Sequence, residues 1–60
     1  MTKYKKNDVL IDLKTGEELI IEDVEIYPLI EYKVKKAYQR NLKTYSKKQL
    51  ENKYNFELKW

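Results

Sequence analysis

The chain of 60 residues has no cysteine and no histidine, and only one glycine and one proline. Each absence removes a class of chemistry. Without Cys or His there is no thiolate nucleophile, imidazole base, disulfide or common zinc site. A single glycine rules out a phosphate-cradling Gly-rich loop. A chain this short makes one domain that buries only about 60% of its unfolded surface. Catalysis is therefore not expected, and neither a cofactor nor a metal is implied.

Long apolar runs are missing too. The longest are Val9-Leu10-Ile11 and Leu19-Ile20-Ile21, far short of the ~18 residues of a membrane span. The opening residues Met-Thr-Lys-Tyr-Lys-Lys-Asn-Asp carry no apolar stretch of the secretory kind. The cytoplasm is the expected compartment, with no membrane partner. Against those absences stand six tyrosines and enough aliphatic residues for one small core. With so little Gly and Pro, low-complexity disorder is not expected.

The formal net charge of +3 hides two opposed blocks. Residues 7–31 hold eight carboxylates against the single Lys14, and residues 32–48 hold six lysines and Arg40 with no acid. Lysine outnumbers arginine twelve to one, and codon bias in an AT-rich genome is expected to supply part of that excess.

The first two-thirds of the chain read as strands. Val9, Ile11 and Leu13 alternate with Leu10 and Asp12, the period of a half-buried strand. Thr15-Gly16 marks a tight hairpin, with a three-residue loop and Gly16 as its left-handed residue. That loop predicts Ile11 opposite Leu19, Val9 opposite Ile21, and Leu10 opposite Ile20 on the outer face. Leu19 and Ile21 are apolar at odd positions, Val24 and Ile26 at even ones, so a bulge at Glu22-Asp23 is needed to keep both pairs inward. Tyr27-Pro28-Leu29 breaks the ladder. Ile30, Tyr32 and Val34 then alternate with Glu31, Lys33 and Lys35.

A turn around Gln39-Arg40-Asn41 leads to a short fourth strand, Leu42 to Tyr45. Ser46 lies three residues before Gln49, a capping-box spacing, with Leu50 and Tyr54 on one face of the helix it starts and Asn55 as its left-handed stop. Phe56, Leu58 and Trp60 alternate as a fifth strand, with Trp60 expected to seal the core.

Asp8-Val9-Leu10-Ile11-Asp12, Lys14-Thr15-Gly16-Glu17 and Ser46-Lys47-Lys48-Gln49-Leu50, in this order, resemble SH3-like small barrels over roughly Asp8 to Trp60. The pattern is similar to short SH3-like proteins of phages and mobile elements of AT-rich bacteria. The resemblance implies a mostly β fold, a five-stranded barrel with one short helix between strands four and five, forming a single domain over residues 1–60. Peptide-binding SH3 domains carry a mid-chain tryptophan. Trp60 stands at the end here, and polyproline recognition is not expected.

The cation-rich stretch interleaves charge with aromatic rings, a composition that suits nucleic acid, and the expected partner is nucleic acid or a nucleic-acid-handling host protein. Its candidate contacts are Lys33, Lys35, Lys36, Tyr38, Arg40, Lys43, Tyr45, Lys47 and Lys48. The scarcity of Arg points to backbone contact rather than base-edge reading. A protein interface is the alternative, an inhibitor or adaptor surface built from Tyr4, Leu10, Ile20, Glu22, Asp23, Tyr27 and Leu29. Homodimerisation through that patch is a further possibility.

Overall fold

The structure, a computed structural model, describes residues 2–59. Trp60 lies outside the described residues, as does its expected sealing role. Five antiparallel strands form one sheet: β1 (Val9–Asp12), β2 (Glu18–Glu25), β3 (Glu31–Lys36), β4 (Lys43–Ser46) and β5 (Phe56–Leu58). A single helical turn, α1 (Lys47–Leu50), precedes β5. The strand order is β4-β3-β2-β1-β5, a four-strand meander whose last strand returns to the side of the first.

The expected barrel does not close. β4 and β5 remain sheet edges, with no ladder between them among the described residues. The sheet curls enough to bring Tyr45 of β4 and Phe56 of β5 edge to face, with ring centroids 5.7 Å apart. Side chains thus join the two edges where hydrogen bonds do not. The turn of α1 packs on β3 and β4 and drops the fully buried Leu50 into the interior.

The first hairpin corrects the expected register. Asp12 N–H donates to the Glu17 carbonyl at 2.8 Å, and Gly16 N–H donates to the Asp12 carbonyl at 2.7 Å. Leu13, Lys14, Thr15 and Gly16 therefore form a four-residue loop, one residue longer than the sequence suggested. Gly16 still takes the left-handed position, φ 78°, which a residue with a Cβ occupies only under strain. The added residue moves every pair by one: Leu10 faces Leu19, Val9 faces Ile20 and Ile11 faces Glu18. Side chains alternate with a period of two, so this slip exchanges the faces of β1. Leu10 is fully buried, while Val9 and Ile11 lie half-buried on the outer face beside Ile20.

β1 is entered through a second left-handed residue. Asp8 N–H bonds back to the Lys5 carbonyl, closing a turn with Asn7 at φ 76°. Asn7 N–H then donates to Ile21 O, and Ile21 N–H donates to Asp8 O. Two residues thus oppose one, the pattern of a bulge with a left-handed first position. Asn tolerates that conformation better than most residues.

Across β2 and β3 the expected bulge is present. The register shifts between Ile21 and Asp23, so that Ile21 pairs with Val34 and Val24 with Tyr32. Leu19 and Ile21 before the shift and Val24 after it all reach the core side. Ile26 does not: β2 ends at Glu25, and Ile26 is 70% exposed in the following loop.

The capping box at α1 also forms. Gln49 N–H donates to Ser46 Oγ at 3.1 Å, and Ser46 N–H donates to Gln49 Oε1 at 3.0 Å. The helix ends at Leu50, however, and Tyr54 points to solvent. Glu51 is its C-cap, at φ −85°, and the left-handed stop expected at Asn55 is absent; Asn52 organises the turn that follows. Its side-chain oxygen accepts from Tyr54 N–H, and its carbonyl accepts from Asn55 and Phe56. Among the described residues only Asn7 and Gly16 have a left-handed φ.

The core comprises Tyr4, Leu10, Leu19, Ile21, Tyr32, Val34, Leu50 and Phe56. Truncating such a side chain costs about 2–5 kcal/mol. Leu10→Ala is therefore expected to lower the urea-derived stability by that amount, and Ile11→Ala by less than half as much. Equal losses, or a larger loss at Ile11, would restore the three-residue loop.

Candidate functional site

The basic segment folds into β3, the β3–β4 loop, β4 and α1, and these elements separate its cations. Lys33 is on the outer face of β3, 3.2 Å from Glu25, with its Nζ also donating to Thr44 Oγ1. Lys47 is tied to Glu51 one helical turn on. Lys48 is exposed on α1, at the far end of β3 from Lys35 and Lys36. Arg40 is exposed in the β3–β4 loop.

Four of the candidate residues do come together. Lys35, Lys36, Lys43 and Tyr45 line one cleft with Leu19, Val34, Gln39, Asn41 and Leu42, enclosing about 330 Å³. The antiparallel β3–β4 pairing produces this arrangement, because Val34 pairs with Lys43 and Tyr32 with Tyr45. Lys35 and Lys36 at the end of β3 thereby stand across the loop from Lys43 at the start of β4. The Lys43 ammonium sits 5.5 Å from the centroid of the Tyr45 ring. No carboxylate lines the cleft. Lys36 is paired with Glu17 at 3.1 Å, whereas no ion pair involves Lys35, Lys43 or Arg40 among the described residues.

Gln39, Asn41 and Leu42 are cleft residues that the sequence did not single out as contacts. They sit in a loop without periodicity, and only the strand pairing brings them over the sheet. Tyr38, next to Gln39 in the chain, lines not this cleft but an adjoining one, with Gly16, Glu17, Glu18, Lys36, Ala37 and Gln39. It is fully exposed, in a turn closed by Gln39 N–H donating to the Lys36 carbonyl at 3.1 Å.

The alternative interface is divided by the fold. Tyr4 and Leu10 are 3% and 0% exposed, so neither can contact a partner. The changed register buries Leu10, and Tyr4 packs against Tyr32 with centroids 6.0 Å apart. Ile20 is half-buried on the outer face between Val9 and Lys35. Glu22 lies at the bulge, and the exposed Asp23 accepts from Val24 N–H through Oδ1. Tyr27 and Leu29 remain available, 86% and 71% exposed, in an apolar loop with Ile26 and Pro28. This loop lies beside Lys47 and Lys48, at the opposite end of β3 from the basic cleft.

Among the described residues the titratable groups with shifted pKa values form one cluster at the core. The Tyr32 hydroxyl, inside the core, donates to Glu51 Oε2 at 2.5 Å, and Tyr4 N–H approaches that hydroxyl at 3.4 Å. Glu51 also accepts from Lys3 N–H and from the Lys47 ammonium. Burial, reinforced by the hydrogen bond to Glu51, pushes Tyr32 up to about 12. Burial alone would raise the Glu51 carboxyl, but the hydrogen bonds from Lys47, Tyr32 and Lys3 outweigh it and hold the group below its usual range. Burial, with the nearby carboxylates of Glu51 and Asp8, also raises Tyr4. Tyr32 and Glu51 move away from neutrality in opposite directions, whereas a general acid or base needs a pKa near the working pH. Among the described residues no group of three or more carboxylates is placed to hold a metal ion, and no helix is long and apolar enough to cross a membrane.

No protein-family model, curated protein or solved structure matches this chain.

The Tyr32–Glu51 pair contributes to the pH response of the fold at both ends of the scale. Glu51 titrates lower folded than unfolded, so its contribution is present above the ordinary carboxylate pKa and lost as acidification passes the folded value. Tyr32 titrates higher folded, so its contribution is full below pH 10 and lost as pH rises towards about 12. In urea titrations at stepped pH, Tyr32→Phe is expected to reduce both the acid and the alkaline losses. Unchanged losses at both ends would show that the pair does not govern them.

Proposed function

We propose that the protein is a non-catalytic binding module whose basic cleft holds the phosphate backbone of a nucleic acid. We read it as an accessory protein of a phage or mobile element, with an SH3-like arrangement of strands. The observation that carries the proposal is the cleft, which Lys36 and Lys43 line on the core side with Tyr45, which Lys35 borders from the outer face, and which no carboxylate lines. Glu17 already answers Lys36, but Lys35 and Lys43 have no ion-pair partner among the described residues, so a further anion can join them. A polyanion does so by releasing its own condensed counterions. The absence of Arg from the lining favours point contacts to phosphate over bidentate reading of base edges. The strand order β4-β3-β2-β1-β5 is the support for the SH3-like reading.

A second reading, an inhibitor or adaptor that grips another protein, is favoured by the exposure of Ile26, Tyr27 and Leu29 in one loop. The two surfaces lie at opposite ends of β3, about 15–20 Å apart at the rise of a six-residue strand. They can therefore be tested separately.

Binding of a labelled oligonucleotide across a salt series tests the first reading. If Lys35, Lys36, Lys43 and Arg40 each neutralise one phosphate, the log–log salt slope is roughly −3 for a single strand and up to about −4 for a duplex. Lys43→Glu is expected to weaken binding and flatten the slope by about one, and Tyr27→Ala to change neither. Binding independent of salt, or lost through Tyr27 and not through Lys43, would overturn the proposal.

A further inference from the structure

The β3–β4 loop bears on the form of nucleic acid the cleft can take. We infer that the site takes unpaired nucleotides in preference to a duplex, with one nucleotide seated in the cleft and its neighbour stacked on Tyr38. This rests on the phosphate-binding reading above and adds to it the strandedness of the ligand.

Shape is the first argument. At about 330 Å³ the cleft lies at the small end of pockets that enclose a small molecule. It is a notch between a loop and a sheet end, not a track along a surface. A duplex carries its phosphates on a convex exterior and keeps its bases paired and stacked inside. It could lay phosphates against Lys35 and Lys43 but would leave the notch empty. An unpaired nucleotide can enter it.

The lining is the second. Leu42 and Tyr45 give the notch an apolar wall over the buried Leu19 and Val34, while Gln39 and Asn41 add two side-chain amides. Each amide both donates and accepts, so together they can meet a base edge of either polarity. A phosphate alone would use only their donors. Amides beside an apolar wall therefore fit a base better than an anion, and the lysines at the rim fit the phosphate attached to it.

Tyr38 is the third. It is 100% exposed, its side chain makes no ring contact among the described residues, and it adjoins Gln39 in the wall of the notch. A ring left wholly in water beside a base-sized notch is a stacking platform, useful only to a base whose face is free. The adjoining cleft that Tyr38 itself lines with Glu17 and Glu18 shares Lys36 and Gln39 with the first. The two carboxylates there disfavour phosphate, which keeps the backbone on the Lys35 and Lys43 side and turns the bases towards Tyr38.

The test compares fluorescence anisotropy of a labelled 12-nucleotide oligo-dT, an oligo-rU and a DNA hairpin duplex of equal charge, all at one low salt concentration. The intact chain is used, with circular dichroism to confirm that each variant is folded. Both single strands are expected to bind about tenfold or more tightly than the duplex. Tyr38→Ala is expected to cost roughly tenfold on the single strands, the loss of one stacked base. It should leave duplex binding and the salt slope unchanged. Tyr38→Phe should bind like the parent chain, and Tyr54→Ala, which removes another exposed ring, should have no effect. Equal affinity for duplex and single strands, or indifference to Tyr38→Ala, would overturn the inference while leaving phosphate binding in place. Failure of all three probes to bind would overturn both.

Discussion

The hydrogen bond from buried Tyr32 to Glu51 is the contact on which the shape of this molecule depends. Among the described residues the sheet has two open edges, and no backbone ladder draws them together. Instead, Glu51 collects donors from the N-terminal segment, from β3 and from α1, linking three parts of the chain that are distant in sequence. A hydroxyl inside the core needs such a partner, because an unsatisfied buried polar group costs about 1–3 kcal/mol. The carboxylate needs its donors equally, since partial burial would otherwise favour its neutral form. Each group makes the other's position tolerable. Leu50, one residue earlier, closes the core below them.

That closure leaves the other end of β3 free of core duties. Lys35 and Lys36 reach the strand end just as the chain turns away, and Lys43 returns opposite them. The cleft thus follows from a short antiparallel connection over a twisted sheet. Part of its charge survives: Glu25 meets Lys33 and Glu18 meets Lys59 away from the cleft, while Glu17 answers only Lys36 among the cleft lysines. Two ion pairs, Glu25 with Lys33 and Glu17 with Lys36, join the opposed charge blocks of the sequence, and Lys35 and Lys43 in the candidate site take no part in them.

Much of the fold could be read from residue pattern, and the misses have physical causes. The bulge at Glu22 was legible because two carboxylates interrupt an apolar alternation and force a change of phase. Ser46 and Gln49 announced their reciprocal cap. The register of β1 was not legible, because Val9, Leu10 and Ile11 are all apolar and either face could be the inner one. Gly16 did not decide the matter, since a loop of three or of four residues ends equally well on a left-handed glycine. Tyr32 was recognised as core, but Glu51 was not recognised as its partner. The only signals for it were the i,i+4 spacing to Lys47 and the need of a buried hydroxyl for an acceptor. In the candidate site the cations and Tyr45 were legible from composition. Their separation into paired and unpaired sets was not, because cross-strand register alone determines which lysine meets which carboxylate.

The two open edges have a consequence for crowded solutions. An unpaired strand is a template on which another chain can extend the sheet, and proteins blunt it with brevity and positive charge. Here the edge strands have four and three residues, with Lys43 beginning one and Lys59 following the other. An added strand would gain only a few hydrogen bonds at either side and would bring two copies of the same charge together. The molecule can leave its sheet unclosed and still resist growing into a fibre.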